Sequence, residues 1–172
     1  FMKYGFFTKV ERKFLKDNLG LSFGFRIDAD SFSEGSTMMD NFSPRMSVTY
    51  KLTEDQAWKI NASFGRYYKI PTYTMLGFQN TQSRFVNKDT KYTRSDHLVA
   101  GLEYAPGNAS RITLEGFYKK YSQYPVSLID GVSLANKGGG FEVLGNEAII
   151  SDGRGKSYGL EALYQQKLSK NF

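Results

Sequence analysis

The stretch "RMSVTYKLTEDQAWKINASFG", residues 45–65, decides the fold because an alternating pattern runs through it twice, on either side of one short polar turn. In both halves every second side chain is apolar, and these side chains are Met46, Val48, Tyr50, Leu52, Trp58, Ile60, Ala62 and Phe64. A period of two indicates extended strands with one apolar and one polar face. The intervening 53–56 is rich in hairpin residues, so the stretch predicts an antiparallel hairpin.

The same alternation recurs along the rest of the chain. It is found at residues 2–10 and in "NLGLSFGFRID" (18–28), "HLVAGLEY" (97–104), "RITLEGFY" (111–118) and "SYGLEALYQQKL" (157–168). Short turns are predicted at 16–18, 53–56 and 105–109, whereas the other links are long, at roughly 15, 27 and 35 residues. This order predicts an all-β fold of about seven antiparallel up-and-down strands.

Links that alternate between short and long place every short turn at one end of the sheet and every long loop at the other. Outer-membrane barrels have this layout, with short periplasmic turns and long extracellular loops. Aromatic side chains such as Trp58, Tyr104 and Tyr118 stand toward the ends of the apolar rows, as in the girdles of such barrels. A soluble β-sandwich that binds a ligand also has alternating strands and remains the alternative.

Composition argues against several other classes of protein. The 23 Lys and Arg residues, which contribute to a net charge of +6, are spread along the chain without the basic patch of a nucleic-acid-binding protein. The chain has no cysteine, which excludes disulfides and thiolate metal sites. His97 is the single histidine and has no acidic partners at ligand spacing, and no nucleophile stands beside a base. We therefore expect no enzyme activity, no metal and no cofactor.

Longer stretches resemble a known family. "NFSPRMSVTYKLTEDQAWKINASFGRYYKIPTY" (41–73), "LEGFYKKYSQYPVS" (114–127) and "GNEAIISDGRGKSYGLEALYQQKLSKNF" (145–172) resemble the barrel of TonB-dependent outer-membrane receptors, particularly the Bacteroidetes type. In that family "SPR" introduces a descending strand and "GRYY" leads into a loop. The resemblance covers nearly the whole chain and is least distinctive over residues 1–20.

The resemblance implies a place for the chain in a larger protein. Such receptors have a barrel of about 22 strands around a plug, so we expect residues 1–172 to be one barrel segment, truncated at both ends and without the plug. The whole receptor would lie in the outer membrane of a Gram-negative cell, contact its lipid, and bind a scarce nutrient such as an iron chelate, a cobalamin-like cofactor or an oligosaccharide. Import would use the TonB complex through an N-terminal region outside this segment. A passive porin is the alternative within the same membrane.

Candidate site residues follow from this layout. The side chains predicted to contact ligand near the strand tops are Arg66, Tyr67, Tyr68, Tyr73, Tyr121 and Tyr124, with membrane-interface anchoring as the other interpretation. The polar side chains predicted to face the lumen are Lys59, Asn61, Glu103, Glu115 and Glu161. We expect Pro125, which cannot donate a ladder hydrogen bond, to lie past the paired section, and residues 126–155 to form an extracellular loop.

Overall fold

The computed structural model describes residues 1–53, 55, 57–107, 109–137 and 144–167, and within them the chain is almost entirely β-structure. The elements in chain order are β1 (Lys3–Phe14), β2 (Leu19–Asp30), β3 (Ser43–Lys51), β4 (Trp58–Lys69), α1 (Tyr73–Leu76), β5 (Thr93–Tyr104), β6 (Ser110–Ser127) and β7 (Ile149–Gln166). No helix of these residues is both long and apolar enough to cross a membrane.

The strands form one sheet in the order of the sequence, and every neighbouring pair is antiparallel. Short turns join β1 to β2, β3 to β4 and β5 to β6, whereas 31–42, 70–92 and 128–148 join the strands at the opposite end. We call these three long links the outer loops, and their end of the sheet the upper end. The predicted up-and-down arrangement of seven strands is confirmed.

The register aligns the apolar rows of the strands into one continuous apolar face. One cross-sheet row runs from Ile60 through Leu102 and Leu114 to Ala162, and a parallel row lies above it. That upper row consists of Phe64, Leu98, Tyr118 and Tyr158. Leu98 is 55% exposed and Leu160 80% exposed. In the described part of the chain all seven strands belong to one sheet and no second sheet covers this face, unlike the arrangement in a β-sandwich.

The opposite, polar face also carries rings, and one of them explains an irregularity in the sequence. Phe117 interrupts the alternation of β6, since it lies among the polar positions. Its register partner on β7 is Gly159, and a Cβ at Gly159 would lie 2.9 Å from Cζ of Phe117. The ring of Phe117 therefore lies over backbone that Gly159 leaves without a side chain.

The upper ends of β6 and β7 correct two expectations. Pro125 lies inside the paired section, with Ser151 as its register partner, and β7 begins at Ile149. The outer loop therefore spans 128–148 instead of 126–155. Pro125 is tolerated because the ladder is irregular there, with register shifts on both sides of Tyr124 and a positive φ of 58° at Gln123.

Buried side chains concentrate in and beside the outer loops. Met75, Leu134 and Ile149 form the buried apolar cluster, while Leu76 and Tyr92 are each 1% exposed. These residues come from the loop 70–92, the loop 128–148 and the start of β7. Described residues of these loops therefore pack against one another at the upper end of the sheet.

Candidate functional site

Three strands bring a stack of side chains together at the upper end of the polar face. Arg45 of β3, Tyr67 of β4 and His97 of β5 lie side by side. The guanidinium carbon of Arg45 is 4.5 Å from the centre of the Tyr67 ring, and the ring centres of Tyr67 and His97 are 4.7 Å apart. Nε2 of His97 lies 2.6 Å from Oγ of Ser95. The stack presents cation, phenol and imidazole groups toward the same side of the sheet.

Gly65 makes room for this stack. It pairs with both Arg45 and His97, and the Tyr67 ring lies over it. A Cβ at this position would lie 2.6 Å from Oη of Tyr67. A larger residue at position 65 would therefore push the Tyr67 ring away from Arg45 and His97. A cavity of about 450 Å³ begins at Arg45 and Tyr67 and extends toward β1.

A second aromatic pair lies on the polar face at the top of β6. The ring centres of Tyr121 and Tyr124 are 6.3 Å apart, and the rings meet edge to face at 87°. Their register partners on β7 are Gly155 and Gly153, so both rings lie beside positions without side chains. The irregular ladder brings these two tyrosines to the same face although they are three residues apart.

The register separates the other predicted ligand residues from these. Arg66 and Tyr68 alternate with Tyr67, so they lie on the apolar face, above its uppermost apolar row. Nε of Arg66 donates a hydrogen bond to Asp96 at 2.7 Å. Tyr73 begins α1 in the outer loop 70–92, is 63% exposed, and lies 5.0 Å from the ring centre of Phe1. A ligand role for any of the six residues stays a prediction.

Asn87 ties two of the outer loops to the sheet. Its side chain is 1% exposed, and its amide nitrogen donates to the carbonyls of Met75 at 2.7 Å and Glu147 at 2.8 Å. Its Oδ1 accepts the N–H of Ile149 at 3.0 Å. The loop 70–92 is thereby fastened to the loop 128–148 and to the first residue of β7.

Tyr92 ties the same loop to β2. Its hydroxyl donates a hydrogen bond to Asp30 at 2.8 Å, and its N–H lies 3.4 Å from Oγ of Ser36. Burial raises the pKa of the Tyr92 phenol far above its usual value, and the Asp30 carboxylate raises it further. The phenol therefore stays protonated and keeps donating throughout the physiological pH range.

Charged side chains join described residues on the two sides of the outer loop 128–148. Nζ of Lys137 lies 2.8 Å from Asp130 and 3.0 Å from Glu147, and Oγ of Ser127 also donates to Glu147. The hydrogen bond from Ser127, followed by the contact with Lys137, lowers the pKa of Glu147 below its usual value. The hydrogen bond from Lys137 is the largest effect that lowers the pKa of Asp130. Both carboxyls are therefore ionised at neutral pH.

The residues predicted to face the lumen do share the polar face. Lys59 pairs with Glu103 at 2.9 Å, and Arg111 lies 3.6 Å from the same carboxylate. One cross-sheet row carries the other three, which are Asn61, Glu115 and Glu161. These contacts are those of ion pairs on a polar wall, and within the described ranges no three acidic or histidine side chains gather to hold a metal.

Comparison with known proteins agrees with this geometry. The family profile described as "TonB dependent receptor-like, beta-barrel" matches residues 1–171. The chain belongs to this family. It is a family of outer-membrane receptors that serve nutrient uptake in Gram-negative bacteria, and not a class of enzymes. No curated protein sequence matches the chain.

A solved structure shows the same barrel fold. The receptor segment superposes on the siderophore receptor PirA from Pseudomonas aeruginosa with a TM-score of 0.66 and 17% sequence identity. The match covers 93% of this chain and 30% of that chain, so the segment spans less than a third of the length of PirA. At this identity the likeness concerns the fold alone.

Sequence reasoning missed Arg45 and His97 as partners of Tyr67. In the sequence Arg45 is one polar residue of a strand among several, and His97 is a single histidine without acidic partners at ligand spacing. Arg45, Gly65 and His97 form one cross-strand row once the hairpins are placed in register. This alignment is the sequence signal that could have identified Arg45 and His97. The receptor's upper polar face, which holds this stack and the Tyr121–Tyr124 pair, is the candidate functional site.

Proposed function

We propose that residues 1–172 form wall, lumen lining and outer loops of a receptor that captures a scarce nutrient outside the cell and imports it. The observation that carries this proposal is the Arg45–Tyr67–His97 stack. It lies on the polar face at the upper end of the sheet, next to the outer loops. In this family's barrel the polar face lines the lumen, so the stack would meet a ligand that enters from outside.

The chemistry of the stack favours an anionic, flat ligand such as an iron chelate. The Arg45 guanidinium attracts carboxylate or phenolate oxygens, and the rings of Tyr67, Tyr121 and Tyr124 offer apolar faces to planar groups. The siderophore specificity of PirA, which has the same fold, is compatible with this class. A cobalamin-like cofactor and an oligosaccharide are the other two classes, and both belong in the same binding test.

A binding experiment on the full receptor tests the proposal. Tyr67→Ala should weaken binding of the cognate ligand by about 1–3 kcal/mol, or roughly fivefold to 150-fold, when calorimetry is run with a ferric chelate, cobalamin and an oligosaccharide. Tyr68→Ala is the matched control, because it removes the same ring from the neighbouring position on the opposite face. Equal losses in both variants, or a loss only in Tyr68→Ala, would contradict the proposal.

Coupling to TonB is the part of the proposal that separates this receptor from a passive porin. The contact with TonB and the plug would lie in parts of the full receptor outside residues 1–172. Uptake of radiolabelled ligand by cells should therefore stop when TonB is deleted, while binding to the cell surface persists. Uptake that continues at the same rate without TonB would support the porin instead.

A further inference from the structure

A group of charged residues lies on the apolar face, directly above the uppermost apolar row. Strands β4 to β7 contribute it, and its members are Arg66, Arg94, Asp96, Lys120 and Lys156. We call these five residues the outer basic patch. Arg66, Asp96, Lys120 and Lys156 stand two residues beyond the row of Phe64, Leu98, Tyr118 and Tyr158, which corresponds to about 7 Å along the strands. Arg94 stands one row higher, opposite Tyr68.

The patch contains four cations and one carboxylate, and only the two arginines contact that carboxylate. Asp96 accepts hydrogen bonds from Nε of Arg66 at 2.7 Å and from Nε of Arg94 at 3.0 Å, and its side chain is only 18% exposed. Both of its oxygens are therefore engaged by the two arginines. Among the described residues, Lys120 and Lys156 have no carboxylate within ion-pair distance, and both are exposed.

The two lysines also oppose each other directly across β6 and β7. Like charges at directly opposed positions destabilise a sheet. An anion bound to both lysines would offset this repulsion, because it carries the opposite charge. Below them the rings of Tyr118 and Tyr158 are also opposed, and these rings are 44% and 71% exposed. Tyrosine at the edge of an apolar band is typical of the membrane headgroup zone.

We propose that the outer basic patch binds the phosphate groups of outer-leaflet lipid headgroups, with Lys120 and Lys156 as the principal contacts. The occupant is lipid because the patch continues the face that the family's barrel turns toward the hydrocarbon. Charge complementarity agrees, since phosphate oxygens accept charge-assisted hydrogen bonds from ammonium groups. The patch is separate from the proposed ligand site, which lies on the opposite face of the same strands.

Titration of the full receptor in detergent with bisphosphorylated lipid A, read by native mass spectrometry, tests the proposal. Removal of two lysines near an anionic surface, as in Lys120→Gln/Lys156→Gln, should weaken binding about 30-fold. Lys120→Arg/Lys156→Arg should restore it. The control Lys69→Gln/Lys119→Gln removes the same charge from the polar face of β4 and β6 and should bind like the native receptor.

Three results would overturn the proposal. The first is a Lys120→Gln/Lys156→Gln variant that binds lipid A within about twofold of the native receptor, since phosphate contacts by two lysines predict far more. The second is equal affinity for lipid A without its phosphates. The third is displacement of lipid A by inorganic phosphate at equal concentration, which would indicate a site for the free anion. Because these outcomes concern lipid alone, they are distinguishable from failure of the proposed nutrient receptor.

Discussion

Asn87→Ala should detach the outer loops from the top of the sheet without unfolding the strands. The substitution removes three hydrogen bonds that join Asn87 to Met75, Glu147 and Ile149 at 2.7–3.0 Å. Each bond contributes about 1 kcal/mol net, and the partners are left unsatisfied in a buried place. The free energy of local opening should therefore fall by about 3 kcal/mol, which accelerates hydrogen exchange roughly a hundredfold.

The assay is hydrogen exchange of the Ile149 amide in the full receptor, read by mass spectrometry of peptides that span the start of β7. Asn136→Ala is the control, because Asn136 lies exposed in the outer loop 128–148 and its side chain makes no hydrogen bond to other described residues. Exchange at the middle of β5 should not change in either variant. If Asn87→Ala accelerates exchange at Ile149 no more than Asn136→Ala does, Asn87 does not hold the loops.

Three further predictions concern the loops and the apolar face. Gly35→Ala should expose the loop 31–42 to protease, because a Cβ there would overlap the carbonyl of Asp89; cleavage at the native rate would refute this contact. Protection of the loop 128–148, corrected for intrinsic exchange, should be constant above the ordinary glutamate pKa of 4.5 and decline below it. The reason is that Glu147 has a lowered pKa and loses its contacts with Ser127 and Lys137 on protonation; a constant protection down to pH 2 would contradict it. Leu102→Arg should destabilise the receptor in bilayers by about 2–4 kcal/mol in urea titrations, and an unchanged midpoint would argue against lipid at this position.

The strands could be predicted from the sequence because their signal is local. Alternation around residues 45–65 defines two strands, and the short turn between them fixes which residues pair, so Val48 meets Ala62. The same reasoning gave the up-and-down order and the short and long links. Each inference needed only residues that are close along the chain.

The upper ends of the strands could not be predicted so well. Above the hydrocarbon a strand needs no apolar row, so "SDGRGKS" carries no alternation although residues 151–157 are part of β7. Backbone hydrogen bonds alone continue the ladder there. The sheet also places Arg66 and Tyr67 on opposite faces, since adjacent residues of a strand face opposite sides.

The contacts of the outer loops could not be predicted from the sequence. Asn87 and Glu147 are 60 residues apart, and no periodicity relates them. Asn87 carries no local signal either, since an asparagine in a long loop is ordinary. Its importance arises from burial and from three bonding partners, which only the folded loops bring together.

The accessibility of spin labels along β5, in the full receptor within lipid vesicles, tests whether lipid covers the apolar face. Labels attached to single cysteines can be introduced one at a time, because this segment has no cysteine of its own. Labels at Leu98, Ala100 and Leu102 should collide with oxygen dissolved in lipid, and labels at Val99 and Glu103 with a water-soluble nickel chelate. The same preference at all five positions, or the opposite alternation, would contradict a receptor wall with lipid on its apolar face.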